Sequence, residues 1–191
     1  MHSLSLGASA LVIPFTQRHA HAAASRVATQ TLWVEVSDEQ GHCGYGEACP
    51  RVYVTGESLD DAIAFVREHG NAWCDAIGDL VTLREWVAAH ATDIDAHPAA
   101  WCAVELALLD LFGRRGDASL ESLLGLPALA GPYRYTAVLG DTQHAGFARQ
   151  LQRYLDEGFE TFKLSLCGAI ERDREGVRAL QSAGISPRRV R

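Results

Sequence analysis

At 191 residues, 48% hydrophobic and 21% charged, the chain has room for one good core or two small ones, and the composition of an ordinary globular protein. A formal net charge of -7 with no lysine-rich run argues against a nucleic-acid surface, and no stretch approaches the roughly eighteen unbroken apolar residues of a membrane span. The cysteines, at 43, 49, 74, 102 and 167, are odd in number and form no CxxC pair, which fits reduced thiols in a cytoplasmic protein better than a disulfide framework or a zinc site.

Residues 1 to 14 are apolar but lack a basic leading segment, so they do not read as a signal peptide. Strands are expected over residues 4 to 13 and 27 to 37. In the second, Val27, Thr29, Thr31, Trp33 and Glu35 alternate with Ala28, Gln30, Leu32, Val34 and Val36. Residues 37 to 41 form a turn, and His42 to Ala48 returns as the second arm of a hairpin. Two loops are expected, a polar one from Pro14 to Ser25 carrying Arg18, His19 and His21, and one from Cys49 to Gly56 carrying Arg51, Tyr53 and Thr55.

From Ser58 the period becomes helical, with Ser58 as cap and an end near Gly70. A second helix is expected over Thr82 to His90, with Thr82 and Glu85 as a capping box. The longest, from about Pro98 to Phe112, is apolar nearly all round and therefore buried. Its acids Glu105 and Asp110 need partners such as Arg114, and read as structural rather than catalytic. Gly113 and Gly116 end this helix, and Ser119 to Leu124 adds a turn.

After Gly131-Pro132 strands and helices alternate: a strand at Tyr133 to Leu139, a helix at Gln143 to Asp156, a strand at Thr161 to Leu166, a helix at Glu171 to Ala183, and a third strand beginning at Arg189. Strand starts at 133, 161 and 189 share one 28-residue period, the βα signature of a parallel sheet or barrel. Two and a half units cannot close a barrel of eight, so the chain is expected to stop within a fold. In the strand at 161 to 166, Phe162, Leu164 and Leu166 share one face, and Thr161, Lys163 and Ser165 the other. Lys163 is then either a solvated edge lysine or a lysine aimed into a barrel.

Three stretches, taken together, resemble the enolase superfamily in its muconate-lactonizing and dipeptide-epimerase branch. They are Gly44-Tyr45-Gly46-Glu47-Ala48-Cys49-Pro50 with Thr55-Gly56-Glu57; the run from Ala103 to Leu111 with Gly113-Arg114 and Leu123-Leu124-Gly125; and Gly158-Phe159 with Thr161 to Ser165. The resemblance implies an α+β capping domain over residues 1–131, a three-stranded meander plus helices. The start of a (β/α) TIM-type barrel follows over 132–191, cut off after about two βα units. It also implies removal of the proton α to a substrate carboxylate, with a divalent cation (Mg2+) stabilising the enediolate.

In that family the second barrel strand carries a Lys-x-Lys pair whose second lysine is the base and whose first tunes it. Lys163 matches the first, and Ser165 stands at the position of the second. A serine cannot take so weakly acidic a proton without a base of its own. The three acidic metal ligands of the third, fourth and fifth strands, and the opposite-face lysine, fall beyond Arg191, so residues 1–191 are expected to bind no metal at the family site. The resemblance further makes the two capping-domain loops specificity loops, with Arg18, His19, Arg51 and Tyr53 as candidate substrate contacts and Thr136 as a pocket-lining residue of the first barrel strand. Each also has a plain reading as a solvated loop or strand residue.

Two patterns are set aside. His19-x-His21 lacks a carboxylate or cysteine partner for a metal. Gly41-x-x-Gly44-x-Gly46 lies in a hairpin and opens no helix, so it is no nucleotide loop. The chain is thus expected to be the N-terminal part of an isomerase (epimerase, racemase or cycloisomerase) acting on a small carboxylate, an amino-acid derivative or dipeptide. A homo-oligomer is expected, with no nucleic-acid or membrane partner. The rival expectation is a non-catalytic member, truncated or degenerate, or a capping module that needs a partner chain.

Overall fold

The first two strands run well past the residues expected of them. β1 spans Leu4–His21, β2 Ala24–Asp38 and β3 Cys43–Ala48, in the sheet order β1-β2-β3. The computed structural model describes residues 3–21, 24–140 and 144–191, with side chains described in these except at 17–21, 24–25 and 144–145. The segment from Pro14 to Ser25, expected as a loop, is strand over its described backbone. A polar sequence is as compatible with extended backbone as with a loop. The chain divides into two compact units: Met1–Ile13 with Thr29–Leu129, and Pro14–Ala28 with Ala130–Arg191.

In the first unit, β2 and β3 pair antiparallel with Leu32 opposite Ala48, Val34 opposite Gly46 and Val36 opposite Gly44. One face therefore carries three fully buried branched side chains beside three residues with little or no side chain. The long helix α5, Pro98–Arg115, fills that shallow trough. A Cβ on Gly46 would fall 1.9 Å from the Ala103 carbonyl oxygen, and one on Gly44 2.1 Å from that of Ala107. Gly44 and Gly46 of the pattern set aside above let a strand and a helix touch backbone to backbone. Asp110, as expected of a structural acid, takes the edge-strand amide of Tyr45 (2.9 Å) and the Arg114 Nε (3.0 Å). Glu105 is half-buried, and burial pushes its carboxyl up.

Other helices depart from the pattern in instructive ways. A one-turn helix, α1 at Val52–Thr55, occupies the expected loop after β3, ending at Gly56 in the left-handed region. α2 runs Leu59–Ala76 from a Ser58–Asp61 capping box and passes straight through Gly70. A Cβ at Gly70 would lie 3.2 Å from the Leu6 side chain, so that glycine serves packing and not termination. α3 is Leu80–Ala89, capped by Asp79, with Thr82 at the third helical position of the box and not at its start. α4 at Ala91–Ala96 was not foreseen; α6 at Leu120–Leu124, capped by Ser119, was.

The turn between β2 and β3 is tied down by Asp38, whose side chain is fully shielded from solvent. It accepts the amides of Gln40 and His42 (both 2.9 Å) and the Arg115 Nε (2.7 Å), with the His42 Nδ1 at 3.0 Å. Burial pushes its carboxyl up, but the Arg115 guanidinium and these hydrogen bonds outweigh that and hold it well below the usual carboxylate range. A depressed folded pKa stabilises fully above the unfolded value near 4, and that contribution is lost as pH falls through the lower, folded value. Asp38→Asn is therefore expected to lower the urea midpoint at pH 7 and to make its decline between roughly pH 5 and pH 2 shallower. An equally steep decline in the variant would remove Asp38 as its source.

In the second unit, β4 (Thr136–Leu139) and β5 (Thr161–Leu164) form a parallel pair. α7 (His144–Asp156) follows β4 and α8 (Ile170–Ser182) follows β5. Leu139 and Phe162 are fully buried against Phe147, Leu151 and Leu180. β4 starts three residues later than the period put it; the 28-residue offset holds instead between Phe162 and Val190, which form a parallel bridge after the 3-10 turn Pro187–Arg189. The Arg191 amide donates to the Phe162 carbonyl (3.0 Å), and the Leu164 amide to that of Arg191 (2.9 Å), so β5 has parallel neighbours on both sides.

Candidate active site

The second unit's sheet has one face under its helices and one away from them. Register pairs Thr136 with Thr161 and Val138 with Lys163, and alternation puts these four on the face opposite Phe162 and Leu139. Lys163 is exposed and Val138 38% exposed. The hydroxyls of Thr136 and Thr161 lie 3.1 Å apart, and the Arg191 guanidinium donates to Thr136 Oγ1 at 3.1 Å. A parallel pair thus presents two hydroxyls and two cations on one polar face. Arg191 joins this group through the extended backbone at Val190–Arg191. In the sequence it falls in the third strand expected from Arg189, and the 28-residue offset is what points to β5 as its neighbour.

Ser165 lies one residue past β5, where its amide still donates to the Leu139 carbonyl (2.8 Å). It is half-buried in the wall of a small cleft of about 90 Å³, together with Gly140, Cys167 and Gly176. The loop that carries it is fastened by Asp173, which accepts the amides of Cys167 (2.9 Å) and Gly168 (3.1 Å). The Cys167 amide is the main reason that carboxyl is held below its usual range, ahead of the opposing effect of burial. The Lys163-Ser165 pair is therefore split: the lysine stands on the open face, and the serine borders a cleft too small for a dipeptide.

In the first unit, Arg51 caps α1 by position, and its guanidinium donates to the carbonyls of Gln30 (2.9 Å) and Pro50 (2.7 Å). Those bonds tie the post-β3 loop to β2 and leave part of the fork for a ligand. Tyr53 is 51% exposed on α1. The backbone of Arg18 and His19 is in β1, and their side chains lie outside the described residues, as does the side chain of His21. Among the described residues no three His, Cys, Asp or Glu side chains come together as a metal-binding set, and no helix is long and apolar enough to cross a membrane.

No family model matches the chain. It is 28% identical over 154 residues to a hydrophobic dipeptide epimerase of Enterococcus faecalis, covering 78% of this chain and 41% of that one. To an L-Lys-D/L-Arg epimerase of Methylococcus capsulatus it is 29% identical over 167 residues, covering 87% and 46%. The crystal structure of a dipeptide epimerase from Methylococcus capsulatus, complexed with Mg and the dipeptide L-Arg-D-Lys, superposes with a TM-score of 0.81 at 27% identity, over 97% of this chain and 52% of that one. A muconate lactonizing enzyme from Pseudomonas fluorescens shares the fold with a TM-score of 0.80 at 21% identity, over 95% and 51%. The chain spans about half the length of the curated relatives it matches.

Proposed function

With the fold of the enolase superfamily's muconate-lactonizing and dipeptide-epimerase branch, and with epimerases of that branch as its homologues, we propose that this chain supplies the capping domain (1–131) and the first two βα units (132–191) of an isomerase that removes the proton α to a substrate carboxylate. The observation that carries this is the cationic, hydroxyl-bearing face of β4 and β5. An enediolate gains a second negative charge as it forms, and Lys163 and Arg191 place positive charge where such a group can lie. Thr136 and Thr161 orient it by hydrogen bonds. The resemblance adds Arg51, Tyr53, Arg18 and His19 as candidate contacts for a dipeptide or another amino-acid derivative.

A divalent metal supplies Lewis-acid stabilisation of the enediolate in this chemistry. The residues described here offer it no set of ligands, so no step is derived through it. Ser165 has no basic atom, so this position supplies no base for proton transfer on that face. None of the five cysteines is in a disulfide, which supports a cytoplasmic setting, and a homo-oligomer without nucleic acid or membrane completes the reading.

The test is solvent exchange. The complete isomerase of which residues 1–191 would be part is incubated with Mg2+ and a dipeptide pool in D2O, and α-deuteration is followed by mass spectrometry alongside chiral analysis. Deuterium is expected to enter the α position, and Lys163→Ala is expected to slow entry about 100-fold or more. No exchange on any dipeptide would sink the reading. Ser165 favours a second one, a non-catalytic member, which predicts saturable dipeptide binding with no exchange.

A further inference from the structure

Helices α2, α3, α4 and α5 of the first unit enclose a cleft of about 750 Å³, a volume usual for small-molecule sites, and it shares no residue with the face described above. Its wall is aromatic: Phe65, Trp73, Trp86 and Trp101 line it. His97 stacks on Phe65 with centroids 3.8 Å apart and 17° between the planes, and His90 stacks on Trp86 at 3.7 Å and 10°. The charged side chains of the lining are Asp61, Glu68 and Asp93, with no lysine or arginine among them. Ser58 donates to Asp61 through its hydroxyl (2.6 Å) and its amide, and these bonds hold that carboxyl below its usual range, hence ionised. One ring nitrogen of the wall, His97 Nδ1, is buried with no hydrogen-bond partner. Orphaned polar atoms of this kind ask for a ligand.

We propose that this cleft binds a small organic cation, a protonated amine or guanidinium on an apolar body. Aromatic faces attract a cation through their quadrupoles, and the three carboxylates supply negative charge in a lining that holds His69, His90 and His97 but no lysine or arginine. With its proton on Nε2, His97 offers Nδ1 as the acceptor that a protonated nitrogen needs. A bare metal ion is a poor fit, because no three ligating side chains converge among the described residues.

The probe is benzylamine, with benzyl alcohol as its neutral isostere, titrated into the chain while tryptophan fluorescence and indole N–H resonances are followed. Benzylamine is expected to saturate, to shift the Trp101 indole signal, and to bind at least tenfold more tightly than benzyl alcohol. The double change Glu68→Gln with Asp93→Asn, both at exposed positions, is expected to weaken benzylamine at least fivefold while circular dichroism stays the same. Equal affinity for the two probes, or no saturation, overturns the proposal.

Discussion

Gly46→Ala is expected to unfold the first unit or to cost it about 4 kcal/mol or more, a large part of a typical domain's stability. The new methyl carbon would lie 1.9 Å from the Ala103 carbonyl oxygen and 2.7 Å from the Ala107 amide nitrogen. Ordinary overpacking costs about 1–3 kcal/mol because side chains rotate away. Here the obstacle is helix backbone, and relief requires α5 to move off β3. That movement would uncover Leu32, Val34 and Val36, all fully buried. Gly7→Ala is the control, since nothing lies within 4 Å of its Cβ position. Urea unfolding followed by circular dichroism should leave Gly7→Ala near the parent and lower Gly46→Ala severely. Equal midpoints would mean that β3 and α5 are not in contact in solution.

That pair of glycines also shows what a sequence exhibits and what it conceals. Alternation in β2 was legible because period two sorts Leu32, Val34 and Val36 from their neighbours. The depth of the trough beside them was not, because closeness of two backbones is a property of the pair and only one partner is visible at a time. Cap residues raise a similar difficulty. Asp79 and Thr82 both carry cap chemistry three residues apart, and the pattern favoured the second, whereas the longer helix that begins at the first buries Leu83 within its second turn. Polar residues between Pro14 and Ser25 suggest a loop, whereas the described backbone there is strand.

The βα alternation was legible because a helix period and a strand period differ. The cationic face was legible only in part: Lys163 followed from alternation and from the resemblance, whereas Arg191 depends on which strand lies beside β5. The site's Thr136 was reachable from sequence, but its contact with Thr161 required the register. Glu57 was visible in the Thr55-Gly56-Glu57 stretch, yet its task depends on a helix that begins 41 residues later.

Glu57→Ala is expected to cost the first unit about 3–5 kcal/mol, because it orphans two buried donors at once. The long helix α5 begins at Pro98, which has no amide proton, and His97 before it makes no side-chain cap. The first donors are therefore the amides of Ala99 and Ala100, in residues 8% and 0% exposed. Glu57, itself 4% exposed, accepts them on separate oxygens at 2.8 and 3.0 Å. Its charge also sits at the positive end of the α5 dipole. Water cannot readily replace a buried acceptor, so truncation exposes the full desolvation cost of both amides. Glu57→Gln keeps the shape and one acceptor but points an amide at a donor, so about half of that loss is expected. The measurement is urea unfolding read by the fluorescence of Trp73 and Trp101, which pack edge to face at 5.5 Å. An Ala variant within about 1 kcal/mol of the parent would show that α5 finds another cap. The expected order, parent above Gln above Ala, also bears on function. Glu57 follows directly on the segment that holds Arg51 and Tyr53, so the carboxylate that caps α5 anchors one end of the loop proposed to meet the substrate.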